Sequence, residues 1–467
     1  MPENDIAAVV LTAGLSTRLG GSLKALRPLS GKTFLERMVD ALQTGGVSNI
    51  IVVTGHQADE CAKLASSLMA TPVYNQQYSK GMFSSLQAGL RAVQDNFTEA
   101  KAVLITPVDA ALIMPRSISA IIEAWRMQLE SPNPNRIIIP SLNGRHGHPV
   151  LLPSSHIPRV LERPVSGEPA PEQDPDAPLG LRGYYHELIS ARATCQMENY
   201  LNFLHHSAES NLSDQCIINI PLPDAGVLSD IDTAKESDSA ESFIKLTEDR
   251  TLPSVDEAWQ LLTLSQLSPK KMRHSLLVAR GSLRIGLKLE AAGYPQNHLL
   301  LATAGLLHDV LRMESEHAIY GASLLCELGW PKAAFVVGAH TRLPDAYFSR
   351  MGLEVRDTKF QTVDIPPKYT SGALADEMFY SAVAVYMADK YARRDKFSTI
   401  KERFKDIYDW FRHKPGAVEG IQVREEVVNS VEKWLSVLCG CDLLETVKTP
   451  SGHPLECALD KAVDGAC

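Results

Sequence analysis

Two sets of residues stand out by type and spacing. The first begins in TAGLSTRLGGSLKAL (12–26), directly after the apolar run Ile6–Leu11. Gly14, Gly20 and Gly21 let backbone N–H groups converge on an anion. Arg18 offers a planar fork for phosphate oxygens, and Lys24 a mobile point charge. The loop is neither Gly-x-Gly-x-x-Gly nor Gly-x4-Gly-Lys-Ser/Thr, yet its chemistry is still the cradling of phosphates. Asp109 closes AVLITPVD (102–109), and Asp230 and Asp232 stand in LSDIDTAKE (228–236). Magnesium favours one or two carboxylates plus phosphate oxygens, so Asp109 and Asp232 are expected to hold it. Asp230 is expected to cap a helix instead.

The second set lies in the other half. His308 and Asp309 are adjacent in AGLLHDVLR (304–312), read as the interior of an apolar helix. His274, His317, His340 and Asp389 stand on separate segments around them. A buried carboxylate beside an imidazole is costly unless it is paired or binds a metal. Four histidines and two aspartates on five segments are a metal-ligand pattern, and nitrogen-rich ligation suits iron or manganese better than magnesium. His298 is expected at the surface.

The elements that must position these groups differ between the halves. Over residues 1–238, β-branched runs such as Ile6–Leu11, Asn49–Thr54 and Ala102–Val108 alternate with helical stretches such as Thr33–Gln43 and Phe83–Val93. This predicts an α/β domain with a doubly wound, mostly parallel, Rossmann-like sheet. A carboxylate that ends such a strand lies at the sheet edge where ligands bind. Residues 163–180, rich in proline and acid, read as a surface loop. Residues 239–256 read as a polar linker, and 257–415 as an all-α domain. Helices are expected over Gln266–Ala292, from Asn297 through Arg312, and from a cap at Asp376 through Arg394. Residues 416–467 are expected to form a C-terminal helix and a loose tail.

Bulk properties narrow the function classes. The chain has 467 residues and a net charge of −9, which disfavours a broad nucleic-acid or membrane surface. It has no signal-peptide pattern at MPENDIAAVV, and its eight cysteines are too sparse for a disulfide framework. A cytoplasmic enzyme is the expectation.

LTAGLSTRLGGSLKAL resembles the signature of nucleotidyltransferases that activate sugars and molybdopterin, and the molybdenum cofactor cytidylyltransferases most of all. NQQYSKGMFSSLQAGL (75–90), Asp109, NGRHGHPVLL (143–152) and SDIDTAKE agree with that branch in order. The resemblance covers about residues 6–235. It implies transfer of CMP from CTP to a molybdopterin-type acceptor, with release of pyrophosphate, Mg²⁺ as cofactor and molybdoenzymes as partners. Leu11, Ala13, Gly14, Arg18, Lys24, Gly81 and Ser85 would bind the nucleotide. Lys24, Arg18, Asp109 and Asp232 would carry the chemistry, and His148 would face the acceptor. The sequence departs from the branch at Ala110 and Ala111, where Met-Pro is usual, and at GLRGYYHEL (180–188), in place of Gly-Asp-x-Gly-Ala-Arg. Those departures favour two other readings: a nucleotide sensor or molybdenum-cofactor chaperone with a degenerate site, or transfer to a sugar or alcohol phosphate.

The second set resembles the HD phosphohydrolase superfamily, and GLLHD…H-x3-GA-x-LL…AHT…ADKYARR is similar to its subgroup that cleaves diadenosine tetraphosphate with two metals. The resemblance implies a phosphoester substrate and one or two transition metals. Asp309 would bridge them, with His274, His308 and Asp389 on one and His317 and His340 on the other.

Overall fold

A computed structural model describes residues 5–13, 23–165, 195–196, 217–314, 316–354, 363–414 and 417–464. The chain divides into two compact units, Met1–Lys245 and Leu246–Cys467. The expected loop over 163–180 and the segment 180–188 lie almost wholly outside the described residues, as do Gly14 and Arg18. Among the described residues no helix is long and apolar enough to cross a membrane.

The first unit is built on one sheet. Its strands are β1 (Ile6–Leu11), β2 (Asn49–Thr54), β3 (Thr71–Tyr74), β4 (Ala102–Pro107), β5 (Ile137–Leu142), β6 (Arg145–His146), β7 (Val150–Pro153), β8 (Cys195–Gln196) and β9 (Ile217–Pro221). The order is β8-β9-β5-β7-β4-β1-β2-β3, with β6 paired to β5. β1 runs parallel to β2 and β4, and β2 to β3. β7 is antiparallel to both β4 and β5. The sheet is thus mixed but mostly parallel. Val9, Ile51, Val53, Val103 and Ile105 pack on Leu86 and Leu90 of helix α3 (Met82–Asn96). Burial of both faces is why these strands are continuous β-branched runs. The carboxyl ends of β1, β2 and β4 fall together, so Thr12–Ala13, Gly55–Gln57 and Asp109 all emerge at one sheet edge.

Gly147 fastens a second segment to that edge. The His148 N–H donates to the Val227 carbonyl at 2.8 Å. A Cβ on Gly147 would lie 1.8 Å from that same carbonyl oxygen. Only glycine permits the approach, and both partners are backbone, so neither can swing away. Gly147→Ala is expected to cost about 3 kcal/mol, at the upper end of overpacking. That corresponds to roughly a 6–12 °C loss in the melting temperature of a unit this size. Thermal unfolding of the full chain checks it, and a shift below 2 °C would show that the segment moves freely.

The second unit is helical. The helix α8 (Pro269–Ala291) packs against α9 (His298–Leu307) and α13 (Gly372–Tyr391). Two expectations need correction here, at the C-terminal tail and at Asp376. The stretch 239–256, expected as a linker, contains the boundary between the two units at Lys245–Leu246, and it is helical at both ends: it holds the end of the helix Ala234–Leu246 and the start of Val255–Leu264. Ser254 and Glu257 form a capping box there, and Arg250 pairs with Glu257 in the interior at 2.8 Å. The loose tail is also helical, over Leu443–Lys448 and Pro454–Asp464. Arg284 of α8 donates to Val447 O and to Glu456 Oε1, and Leu443, Val447 and Leu459 are buried. Asp376 does not cap α13. The helix starts earlier, at Gly372, and Asp376 pairs with Arg350.

Candidate functional site

At the sheet edge of the first unit, Lys24 opens a short 3-10 turn (Lys24–Leu26). Its Nζ donates to Asp109 Oδ2 at 2.6 Å and also to Asp232 Oδ1. Ser229 Oγ donates to the Asp109 carbonyl at 3.0 Å, joining the two acidic segments. Asp109, Asp230 and Asp232 each offer a carboxylate oxygen within 4.8 Å of the others. Burial pulls the Lys24 ammonium down, but Asp109 and Asp232 outweigh it and the net shift is upward. Partial desolvation, with the charges of Asp109 and Asp232, raises the Asp230 carboxyl.

Asp230 corrects the sequence reading. It joins the carboxylate cluster, while Thr233 accepts from the Glu236 N–H at 3.2 Å and so takes the capping position. Its i, i+2 relation to Asp232 was the available signal. The residues fit a divalent cation on one further count: Asp109 Oδ1 is buried and has no hydrogen-bond partner.

The other first-unit residues divide. Leu11 ends β1, and Ala13 is buried beside Gly55, whose Cβ would lie 2.8 Å from the Ala13 Cβ. Gly81 precedes α3 with φ 98°, a conformation that favours glycine. Ser85 is buried, and its Oγ accepts from Asn75 Nδ2 at 3.0 Å. That bond braces the turn ahead of α3 and uses the hydroxyl internally. Burial drives the His148 ring below the usual histidine range despite the backbone of Ile105 and the charge of Asp230, so it stays neutral. Its Nδ1 is buried without a partner.

The second unit brings all six expected ligands together. His274 lies on α8 and Asp389 on α13, with His274 Nε2 3.2 Å from Asp389 Oδ1. His308 is not inside a helix as expected. α9 ends at Leu307 and His308 is its C-cap. The His308 Nδ1–H donates back to the Gly305 carbonyl at 2.9 Å, occupying an acceptor that the helix end leaves open. His340 repeats the arrangement as the C-cap of α11 (Pro331–Ala339), donating to the Val337 carbonyl at 2.6 Å. A ring whose Nδ1 carries the hydrogen presents a lone pair at Nε2. Both Nε2 atoms turn to Asp309.

The two oxygens of Asp309 divide the cluster. Oδ2 is 3.5 Å from His308 Nε2. Oδ1 is 3.1 Å from the Nε2 of His317, the first residue of α10 (His317–Glu327), and 3.5 Å from that of His340. Burial drives His308 down to about 3, so the ring is neutral near neutral pH. Its Nε2 is buried without a hydrogen-bond partner. Burial pushes the Asp309 and Asp389 carboxyls up, but His308, His317 and His340 for the first, and Lys390 and His274 for the second, hold both well below the usual range. Imidazoles facing ionised carboxylates are the donor set of a metal centre, with carbonyls fixing the His308 and His340 rings behind it.

Two cations stand at this centre: Lys390, which the sequence offered with Arg273 as a neighbour of the ligands that could meet substrate phosphates or equally face solvent, and Arg312, which it did not single out. Arg312 donates to His317 Nε2 at 2.8 Å and lies 3.6 Å from Asp309 Oδ2, three residues along the same turn. Lys390 Nζ bonds Asp389 Oδ2 at 2.6 Å. Arg273, the other cation beside a ligand, is exposed. His298, expected at the surface, is partly exposed, 3.1 Å from Glu290 and edge-on to His453.

Residues 8–170 match the family model of the MobA-like NTP transferase domain, and residues 272–394 that of the HD domain. Three curated relatives align with the first region. Nicotine blue oxidoreductase of Paenarthrobacter nicotinovorans is 29% identical over 169 residues, covering 35% of this chain and 78% of the relative. The molybdenum cofactor cytidylyltransferase of Escherichia coli K12 is 28% identical over 161 residues, 34% of this chain and 76% of the relative. The bifunctional protein GlmU of Geobacter metallireducens is 32% identical over 123 residues, where the alignment spans only 26% of this chain and 25% of the relative. One of these relatives is named an oxidoreductase, so likeness fixes the scaffold and the site must argue the reaction. This chain carries a MobA-like NTP transferase domain followed by an HD domain.

Proposed function

We propose that the two compact units are two functional domains, a nucleotidyltransferase and a metal-dependent phosphohydrolase in one cytoplasmic polypeptide. The observation that carries the first is the carboxylate triplet with Lys24 at the sheet edge, beside the start of the glycine-rich loop. The reaction is transfer of CMP from CTP to a molybdopterin-type acceptor. An acceptor phosphate oxygen forms a bond to the α-phosphorus, the bond to the β-phosphate oxygen breaks, and pyrophosphate leaves. Asp109 and Asp232, with Asp230 beside them, would hold Mg²⁺, which supplies neutralisation of the phosphate charge when bound. Lys24, together with Arg18 and Gly14 of the loop, binds the triphosphate. Leu11, Ala13 and Gly81 shape the nucleotide pocket, Ser85 braces it through Asn75, and His148 flanks the acceptor. No protein nucleophile is required, because placement and charge do the work.

The experiment is pyrophosphate release from each of the four NTPs, with and without molybdopterin. CTP with acceptor is expected to turn over fastest. Release with a sugar or alcohol phosphate alone would move the acceptor class, and no release with any pair would leave a binding domain of the sensor or chaperone type. Removing the Lys24 charge should cost about 3 kcal/mol of transition-state stabilisation, as for one preorganised donor. Lys24→Ala is therefore expected to slow release by roughly a hundredfold. A change below threefold would place Lys24 outside the reaction.

For the second domain, His274, His308, Asp309, His317, His340 and Asp389 would hold iron or manganese, and the substrate class is a phosphoester or phosphoanhydride. Arg312 and Lys390 lie where they can meet its oxygens.

A further inference from the structure

Lys24 has a second task in the first domain. Its ammonium bonds Asp109 Oδ2 at 2.6 Å and Asp232 Oδ1, the two carboxylates assigned above to the divalent cation. The side chain is only 15% exposed, so water does little to screen the contact. Among the described residues, three carboxylates meet one ammonium here. One oxygen of Asp109 and one of Asp232, however, are already shared with Lys24. A divalent ion arriving alone must either crowd a positive charge at contact distance or displace it into solvent. A triphosphate changes this balance. Its oxygens accept the same ammonium hydrogens, and the four-carbon stem of lysine lets Nζ move to them without backbone change.

We propose that Lys24 is an exchangeable counter-ion: it closes the Asp109–Asp232 pair to a lone divalent cation and is drawn off by the nucleotide, so cation and nucleotide bind as one unit. The inference rests on the nucleotidyltransferase reading of this site and adds the order of binding to it. Thermodynamic reciprocity gives it a measurable form: if nucleotide tightens cation binding, the cation must tighten nucleotide binding by the same factor. That factor passes through Lys24.

The test measures Mn²⁺ affinity by electron paramagnetic resonance on the full chain, with no acceptor present. Asp309→Asn is included in every arm so that the second domain contributes no sites. In this parent protein, Mn²⁺ alone is expected to bind weakly, and CTP to tighten it by about tenfold or more. Lys24→Met and Lys24→Gln remove the charge while keeping length. Each is expected to bind Mn²⁺ alone about tenfold more tightly than the parent, since a unit charge at this distance is worth at least that factor. Lys24→Arg keeps the charge and is expected to stay weak. If both neutral variants match the parent within twofold without nucleotide, the exchange does not occur and the inference is overturned, while CTP-dependent Mn²⁺ binding in the parent would leave the transferase reading standing. A parent that binds no Mn²⁺ even with CTP overturns that reading, and this one with it. Circular dichroism of each variant shows whether the fold is intact.

Discussion

Asp109→Asn is expected to abolish pyrophosphate release from CTP while leaving the protein folded. Asp109 stands two residues past the end of β4 at the sheet edge, where it meets Asp230 and Asp232 within 4.8 Å. One of its oxygens receives Lys24 at 2.6 Å and the other is buried with no hydrogen-bond partner. A buried, unpartnered carboxylate oxygen is unstable in isolation, and a divalent cation is what such an atom would satisfy. Asparagine keeps the shape and one acceptor oxygen for Lys24, so the fold has little reason to change. It removes a negative charge that would hold the cation, and a cation held there would neutralise developing phosphate charge. The loss should be about 4 kcal/mol, roughly a thousandfold in rate. Asp230→Asn should fall less, because Asp230 is exposed and makes no contact with Lys24 among the described bonds. Pyrophosphate release by wild type, Asp109→Asn and Asp230→Asn is the measurement. Wild-type turnover in Asp109→Asn would move the metal, and the reaction, elsewhere.

What the sequence made legible follows from which interactions are local. β1, β2 and β4 were readable because strands buried on both faces must be apolar along their whole length, and that pattern survives in one dimension. Asp109 was readable as a sheet-edge residue because it stands just past β4, and strand ends in such a sheet converge on one edge whatever the connections. Asp232 stands eleven residues past β9, so its approach to Asp109 does not follow from strand ends. The pairing of Lys24 with both carboxylates was not readable, since residues 24, 109 and 232 meet only through the order of strands in space. The end of α9 at Leu307 was hidden for a related reason. After Gly305, AGLLHDVLR has no glycine or proline, and nothing in it marks a stop. At the stop the His308 side chain turns back to Gly305 while its Nε2 turns toward Asp309 and, 3.8 Å away, Asp389 of α13, a tertiary demand that overrides helical propensity. The final helices were taken for a tail because Leu443–Lys448 is too short to announce itself by period, and its support is Arg284, distant in sequence.

The largest effect in the second domain is expected from Asp309→Ala, which should lose most of both metal ions at once. The histidines split between the two oxygens of this one carboxylate: His308 faces Oδ2, and His317 and His340 face Oδ1. A carboxylate shared in this way can bridge two cations a few ångström apart, the arrangement that positions a hydroxide and neutralises a phosphoryl group. Removing any one histidine leaves the bridge and weakens one side. Removing Asp309 takes a ligand from both. It also leaves His308, His317 and His340 buried around a site with one charge fewer, so neither half retains a full donor set. Wild-type protein reconstituted with iron or manganese is expected to carry up to two ions per chain by elemental analysis, and Asp309→Ala close to none. His298→Ala should retain them all, because His298 pairs with Glu290 and His453 away from the cluster. Hydrolysis of a dinucleoside polyphosphate or a generic phosphodiester should fall with the metal. Pyrophosphate release by the first domain should not, since its carboxylates belong to a separate unit of the chain. A wild-type protein that takes up neither metal would make the six residues a buried polar network, and the free lone pair of His308 would then need another partner.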